Sequence, residues 1–130
     1  MLSRTASCSC GKLQAVANGH PVRISICHCL DCQRRSGGVF AIQARFLPEQ
    51  VQISGEGREY ARKGGSGTTI RFTFCPDCGA TLYYQIEGEE RIAIPVGAFA
   101  DPNFPSPTVS VYEERKHAWV ELPAGIERFE

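Results

Sequence analysis

Long apolar runs are missing. Nowhere in the 130 residues is there a stretch near the ~18 apolar residues that a membrane-spanning helix needs. Residues 1–7 hold no apolar core of a secretory signal, so a cytoplasmic, reducing setting is expected. There, clustered cysteines point to metal rather than to disulfides. A charge excess of either sign is also missing. Lys and Arg number 14 and Asp and Glu number 14, whereas a general nucleic-acid binder carries a basic surplus. Neither a nucleic-acid nor a membrane partner is expected. No window longer than about ten residues keeps a helical period. The glycines at 64–67 lack the Lys-Ser or Lys-Thr that would make them a phosphate loop, and no Ser-His-Asp order is present. Histidine occurs three times. His20, beside Pro21, reads as a surface residue and His117, beside Trp119, as a packed one, so neither is a strong general base.

What remains is a succession of short alternating segments between turn signals. Residues 13–17 make a first strand closed by Asn18 and Gly19; 22–27 alternate and end in a cysteine cluster. Residues 30–36 suit one short helical turn stopped by Gly37 and Gly38. Further strands are expected at 39–46, 51–54 and 68–74, with a hairpin of 80–87 and 91–96 around Gly88, and late strands at 109–112 and 117–121. Residues 101–107, with three prolines, read as a loop. The expectation is an all-β chain of short antiparallel strands, one compact domain over residues 1–130. Phe72, Phe74, Tyr83, Tyr84, Phe99 and Phe104 read as core and pocket wall, not as a base-stacking platform.

Seven cysteines stand out against this background. They fall into three groups: Cys8 and Cys10; Cys27, Cys29 and Cys32; Cys75 and Cys78. An odd number cannot pair completely within one chain, but it divides into four and three. Cys75-Pro76-Asp77-Cys78-Gly79 is a knuckle: two thiolates two residues apart can grip one tetrahedral ion from a tight turn. Proline presets the start of that turn and glycine supplies its positive φ. A knuckle provides half of a closed site. Cys8 and Cys10, followed by Gly11, are the natural other half, giving a structural zinc with four sulfur ligands.

The middle group differs. Three sulfurs within six residues can face one point, and zinc with three protein ligands keeps a position for water or substrate. Three thiolates make the ion electron-rich, which suits a substrate thiolate better than the activation of water. Arg34 and Arg35 follow at once, and Phe40 lies close by. These three are candidate substrate contacts, the arginines for a carboxylate or simply as a solvated basic pair. Other readings stay open. His28 could close the site as a fourth ligand, although neighbours along an extended segment point in opposite directions. Cys29 and Cys32 could form a redox dithiol, and the group could hold iron–sulfur, which would need a fourth cysteine.

The order Cys-x-Cys-Gly (residues 8–11), Cys-His-Cys-x-x-Cys-x-x-x-x-Gly (27–37) and Phe-Cys-x-x-Cys-Gly (74–79) resembles the glutathione-dependent formaldehyde-activating enzyme family. Lys116-His117-Ala118-Trp119 is similar to that family's ending. The resemblance implies a β-tent fold wrapped around two zinc ions. It implies a structural zinc on Cys8, Cys10, Cys75 and Cys78 and a catalytic zinc on Cys27, Cys29 and Cys32. It further implies a carbon–sulfur lyase with a small-molecule thiol, glutathione, as partner and formaldehyde as the aldehyde. The competing class is a non-catalytic binding module stapled by two structural zincs.

Overall fold

The computed structural model describes residues 2–129. Strands make up 41% of the described residues, and the helix α1 (Leu30–Ser36) has only seven residues, so the protein is all-β as expected. Among the described residues, eleven strands form two open sheets. The smaller has the order β1-β2-β5, from β1 (Ser3–Ser7), β2 (Gln14–Asn18) and β5 (Val51–Ser54). The larger has the order β11-β10-β3-β4-β9-β8-β7-β6. Its centre is β3 (Arg23–Cys27), β4 (Ala41–Phe46), β9 (Ile92–Pro95), β8 (Thr81–Ile86) and β7 (Thr69–Phe74). At its margins lie β6 (Arg58–Lys63), β10 (Val109–Val111) and the two-residue β11 (Glu127–Arg128). Pairing is antiparallel except around β10, which runs parallel to both β3 and β11. Its connection from β9 is long enough to return it in that direction, as a parallel pairing requires.

Most expected elements stand where alternation put them, and α1 has the expected bounds. Gly37, at φ +75°, stops the helix in the left-handed conformation, and its N–H bonds Gln33. Three strands were not legible, one of them the two-residue β11 at the edge of the large sheet. β1 (SRTAS) and β6 (REYARK) are polar edge strands with one paired side each. Edges tolerate charge and carry no apolar pattern. One expected strand is absent: residues 117–121 form turns. Val120 N–H bonds the His117 carbonyl, and Lys116 Nζ donates to the carbonyls of His117 and Val120. His117 is also not packed as expected. It is exposed beside a 71% exposed Trp119, and its Nε2 lies 3.0 Å from Gln33 Oε1.

The two faces of the large sheet have different jobs. In β4 the even positions Ala44 and Phe46, both fully buried, join Ile24, Leu82 and Ile94 in the main core. Ala6, Ala15 and Ala17 bring the small sheet against that face, their small side chains allowing close approach. The odd positions of β4, Gln43 and Arg45, point the other way and help line a cleft beside α1.

Candidate metal centres and their cleft

The first cluster joins two turns far apart in sequence. Cys8 N–H bonds the Leu13 carbonyl and Gly11 N–H the Cys8 carbonyl; Cys75 N–H bonds the Ala80 carbonyl and Gly79 N–H the Cys75 carbonyl. Each turn closes with glycine at positive φ, +83° at Gly11 and +80° at Gly79. The sulfurs thereby meet: Cys8 and Cys10 Sγ are 3.7 Å apart, and Cys10 and Cys75 Sγ 3.6 Å. Ligands ~2.3 Å from a tetrahedral ion such as zinc stand about 3.8 Å from one another, so the cluster already has the right spacing. All four Sγ atoms, including that of Cys78, lie within 4.8 Å of one another. Leu13 N–H also donates to Cys8 Sγ at 3.3 Å. The thiol of Cys78 is drawn down to about 6, first by the Ala80 N–H and then by that of Cys10, which favours the thiolate. Outside the sulfurs, Lys12 Nζ meets Asp77 Oδ2 at 3.0 Å, an exposed pair that links the two turns weakly.

The second cluster is assembled where β3 runs into α1. Cys27 is the last residue of β3, Cys29 is the N-cap of the helix, and Cys32 lies in its first turn. Cys29 Sγ accepts the Cys32 N–H at 3.4 Å, so capping and clustering are the same contact. The three Sγ atoms lie within 4.8 Å of one another. Cys27 and Cys32 are buried and Cys29 is half-buried. One sulfur takes the negative charge: Cys29 is held far below the ordinary thiol range by the thiols of Cys27 and Cys32 donating to it. Cys27 is pushed far up, first by Cys29, then by Cys32 and by burial. Both groups of cysteines could therefore hold a metal ion, the first with four sulfurs and the second with three.

His28 takes no part in the second cluster. Its ring is fully buried, with Nε2 3.1 Å from Ser110 Oγ and an edge against Phe40 at 6.2 Å between ring centres. Burial pushes its pKa down, so it is neutral. Alternation along the segment turned it away, as the sequence suggested.

Cys27, Cys29 and Cys32 line a cleft of about 270 Å³. Arg35 lines the same cleft, its guanidinium 5.5 Å from the centre of the Phe72 ring and 5.4 Å from that of Tyr84. Arg34 is exposed and lines an adjoining outer hollow that shares Asp31, Arg35, Arg62 and Phe72 with the cleft, and Phe40 borders a third hollow, which Arg35 also lines. Among the lining residues not singled out from the sequence are Gln43 and Arg45 on β4 and Arg62 on β6. The signal for the first two was a polar residue at alternate positions of an otherwise apolar strand. Arg62, on an unrecognised edge strand, gave none.

No curated protein matches the chain. Among solved structures, a crystal structure of a Rhodobacter sphaeroides protein, a structural-genomics target, shares the fold. It matches at a TM-score of 0.56 and 20% identity, over 78% of this chain and 90% of that one. A family-wide sequence profile described as "Glutathione-dependent formaldehyde-activating enzyme" matches residues 3–115, a span that holds all seven cysteines, α1 and ten of the eleven strands and stops short of Lys116–Trp119. With both sulfur clusters inside that match, the chain belongs to the glutathione-dependent formaldehyde-activating enzyme family.

Proposed function

We propose that the protein is a zinc-dependent carbon–sulfur lyase that forms or cleaves S-(hydroxymethyl)glutathione, the adduct of glutathione and formaldehyde. The observation that carries this reading is the unequal division of the sulfurs: four close on one another at two turns, and three line a cleft. Family membership suggests the thiol and the aldehyde. In this reading Cys8, Cys10, Cys75 and Cys78 hold a structural zinc with every position filled by protein. Cys27, Cys29 and Cys32 hold a second zinc, which when bound supplies a thiophilic position that favours the thiolate form of a substrate thiol.

The chain's own residues complete the chemistry. The positive charge of Arg35 reaches Cys32 and offsets part of the cluster's negative charge. Phe72 and Tyr84 keep water from one wall, which strengthens charge interactions in the cleft. Tyr84 lines the same cleft as the three cysteines and its phenol is protonated at neutral pH, so in this reading it donates to the aldehyde oxygen. In synthesis the thiol gives up its proton, sulfur bonds the formaldehyde carbon, and the oxygen takes up a proton. In cleavage the hydroxyl loses its proton, the carbon–sulfur bond breaks toward sulfur, and formaldehyde leaves.

Protein purified without added metal is expected to carry about two zincs per chain, and Cys29→Ser about one, with the circular dichroism of the fold retained. The same substitution abolishes enzyme-accelerated exchange between formaldehyde and its glutathione adduct, followed by magnetization-transfer NMR. A wild-type chain with a single zinc and a metal-free triad refutes the two-site reading. Full exchange in Cys29→Ser refutes the triad as its centre.

A further inference from the structure

We infer that Gln43 recognises a hydroxyl carried within two carbons of the substrate sulfur, so that the cleft prefers a hydroxyalkyl–sulfur adduct over a thiol or thioether without that group. The inference rests on the thiol-handling reading above and adds the group that is read on the substrate and the residue that reads it. It starts from alternation along β4. Ala44 and Phe46 face the core, so Ala41, Gln43 and Arg45 face the cleft side. Cys27 on β3 stands opposite Ala41, which makes Gln43 its diagonal neighbour on the same face, within reach of a long side chain. On the other flank of β4 comes β9 and then β8, where Ala93 lies opposite both Arg45 and Tyr84. The strand of Gln43 thus lies between the strand that ends in the triad and the strand that carries the Tyr84 phenol.

The amide is out of place as a purely structural group. Gln43 is 2% exposed, and its Oε1 is buried with no hydrogen-bond partner among the described residues. Buried polar groups are normally satisfied, and one left open costs stability. Unsatisfied polar groups in a cleft mark where a ligand's groups belong. The arginines of the cleft only donate, and its one carboxylate, Asp31, is already held by Arg62 at 3.3 Å. Gln43 therefore supplies the open acceptor buried beside the triad.

A carbonyl oxygen only accepts, so the group that meets Oε1 must bring a hydrogen. That requirement separates the species of the proposed reaction. Formaldehyde has no O–H, a thiolate has none, and an S-alkyl group has none. The hydroxymethyl group of the adduct has one. Its oxygen can accept from the Tyr84 phenol while its hydrogen points to Gln43. An amide oxygen is too weak a base to take that proton at neutral pH. Gln43 orients the hydroxyl and favours the adduct, and the proton leaves by another route.

Calorimetry on the zinc-loaded protein with two thiols of equal length tests this: 2-mercaptoethanol, and propane-1-thiol, in which a methyl replaces the hydroxyl. The wild type is expected to bind 2-mercaptoethanol about 10-fold more tightly. Gln43→Met, similar in length but without the amide, reverses the order, because the site is then apolar. The same substitution raises the urea midpoint, since it removes an unsatisfied buried group. It also slows exchange between formaldehyde and its glutathione adduct about 10-fold. Equal affinity for the two thiols in the wild type, or an unchanged preference in Gln43→Met, overturns the inference. A Gln43→Met protein that fails to fold, or that has a lower urea midpoint, makes the amide a structural bond and overturns it too. A Gln43-dependent preference in a protein that accelerates no exchange keeps the hydroxyl recognition and removes the formaldehyde reaction. Full exchange with equal thiol affinities keeps the reaction and overturns the role of Gln43. Binding of neither thiol overturns both.

Discussion

Cys78→Ser is the substitution that isolates the structural contribution of the four-sulfur site. Cys78 is exposed, so replacing its sulfur with oxygen leaves no cavity in the core. The lost sulfur ligand weakens the grip on the ion, and once the ion leaves, the cross-link between the β1–β2 turn and the β7–β8 turn goes with it. Cys10 and Cys75 are 65 residues apart. Releasing a loop of that length returns about 4 kcal/mol of chain entropy to the unfolded state at 25 °C. A chain of 130 residues unfolds with roughly 270 cal/mol/K at its midpoint, so the melting temperature should fall by about 15 °C. The triad offers an internal comparison. Its ligands span six residues, a loop worth about 2 kcal/mol by the same relation, so Cys29→Ser should lower the midpoint by at most about 8 °C. Thermal unfolding followed by circular dichroism, with and without a chelator, reads both. Chelation should bring the wild type down toward Cys78→Ser. A Cys78→Ser protein melting within about 3 °C of wild type, or below Cys29→Ser by no margin, would refute the claim that this cluster fastens the two turns.

Two further outcomes are expected. Gly55 sits at φ +94°, and a Cβ there would meet the Lys12 carbonyl oxygen at 1.9 Å. Gly55→Ala should cost at least about 2 kcal/mol in urea unfolding and speed zinc loss to a competing chelator, because Lys12 lies between Cys10 and Leu13. Gly65→Ala, with no atom within 4 Å of its Cβ position, is the neutral control. Arg128 donates to both oxygens of Glu113 at 2.7–3.0 Å and holds its carboxyl below the usual range. The stabilisation is present above the unfolded carboxyl pKa of about 4.3 and is lost as the pH falls through the lower folded value. Glu113→Gln should therefore cost about 1 kcal/mol at pH 7, and urea midpoints of the two proteins should converge as the pH drops below 4. A gap that stays constant with pH would count against the pair.

Legibility in the sequence followed the range of the interaction that fixes each feature. α1 was bounded by residues inside it: Cys29 caps the first turn and Gly37 ends the last. β4 was visible because its core face alternates, Ala44 and Phe46 buried against the other sheet. β1 and β6 were invisible because an edge strand answers to a neighbour's hydrogen bonds rather than to a pattern of its own. Residues 117–121 look like a strand, yet among the described residues no strand pairs with them, and β propensity alone does not hold a strand in place. The sulfur clusters were legible within each turn, and the joining of Cys8 and Cys10 to Cys75 and Cys78 was legible by count.

By itself, then, the sequence determined the local grips: two glycine-closed turns, and a triad compressed into six residues at a helix cap. Each follows from short-range backbone geometry. Only the tertiary structure decided what faces those grips. Gln43, Arg45, Arg62, Phe72 and Tyr84 come from four strands. Their meeting around the three cysteines depends on strand order and register, which fix which side of each strand looks into the cleft. The same placement leaves Arg35 stacked on two aromatic rings with no carboxylate of its own, and that relation was written in no single segment of the chain.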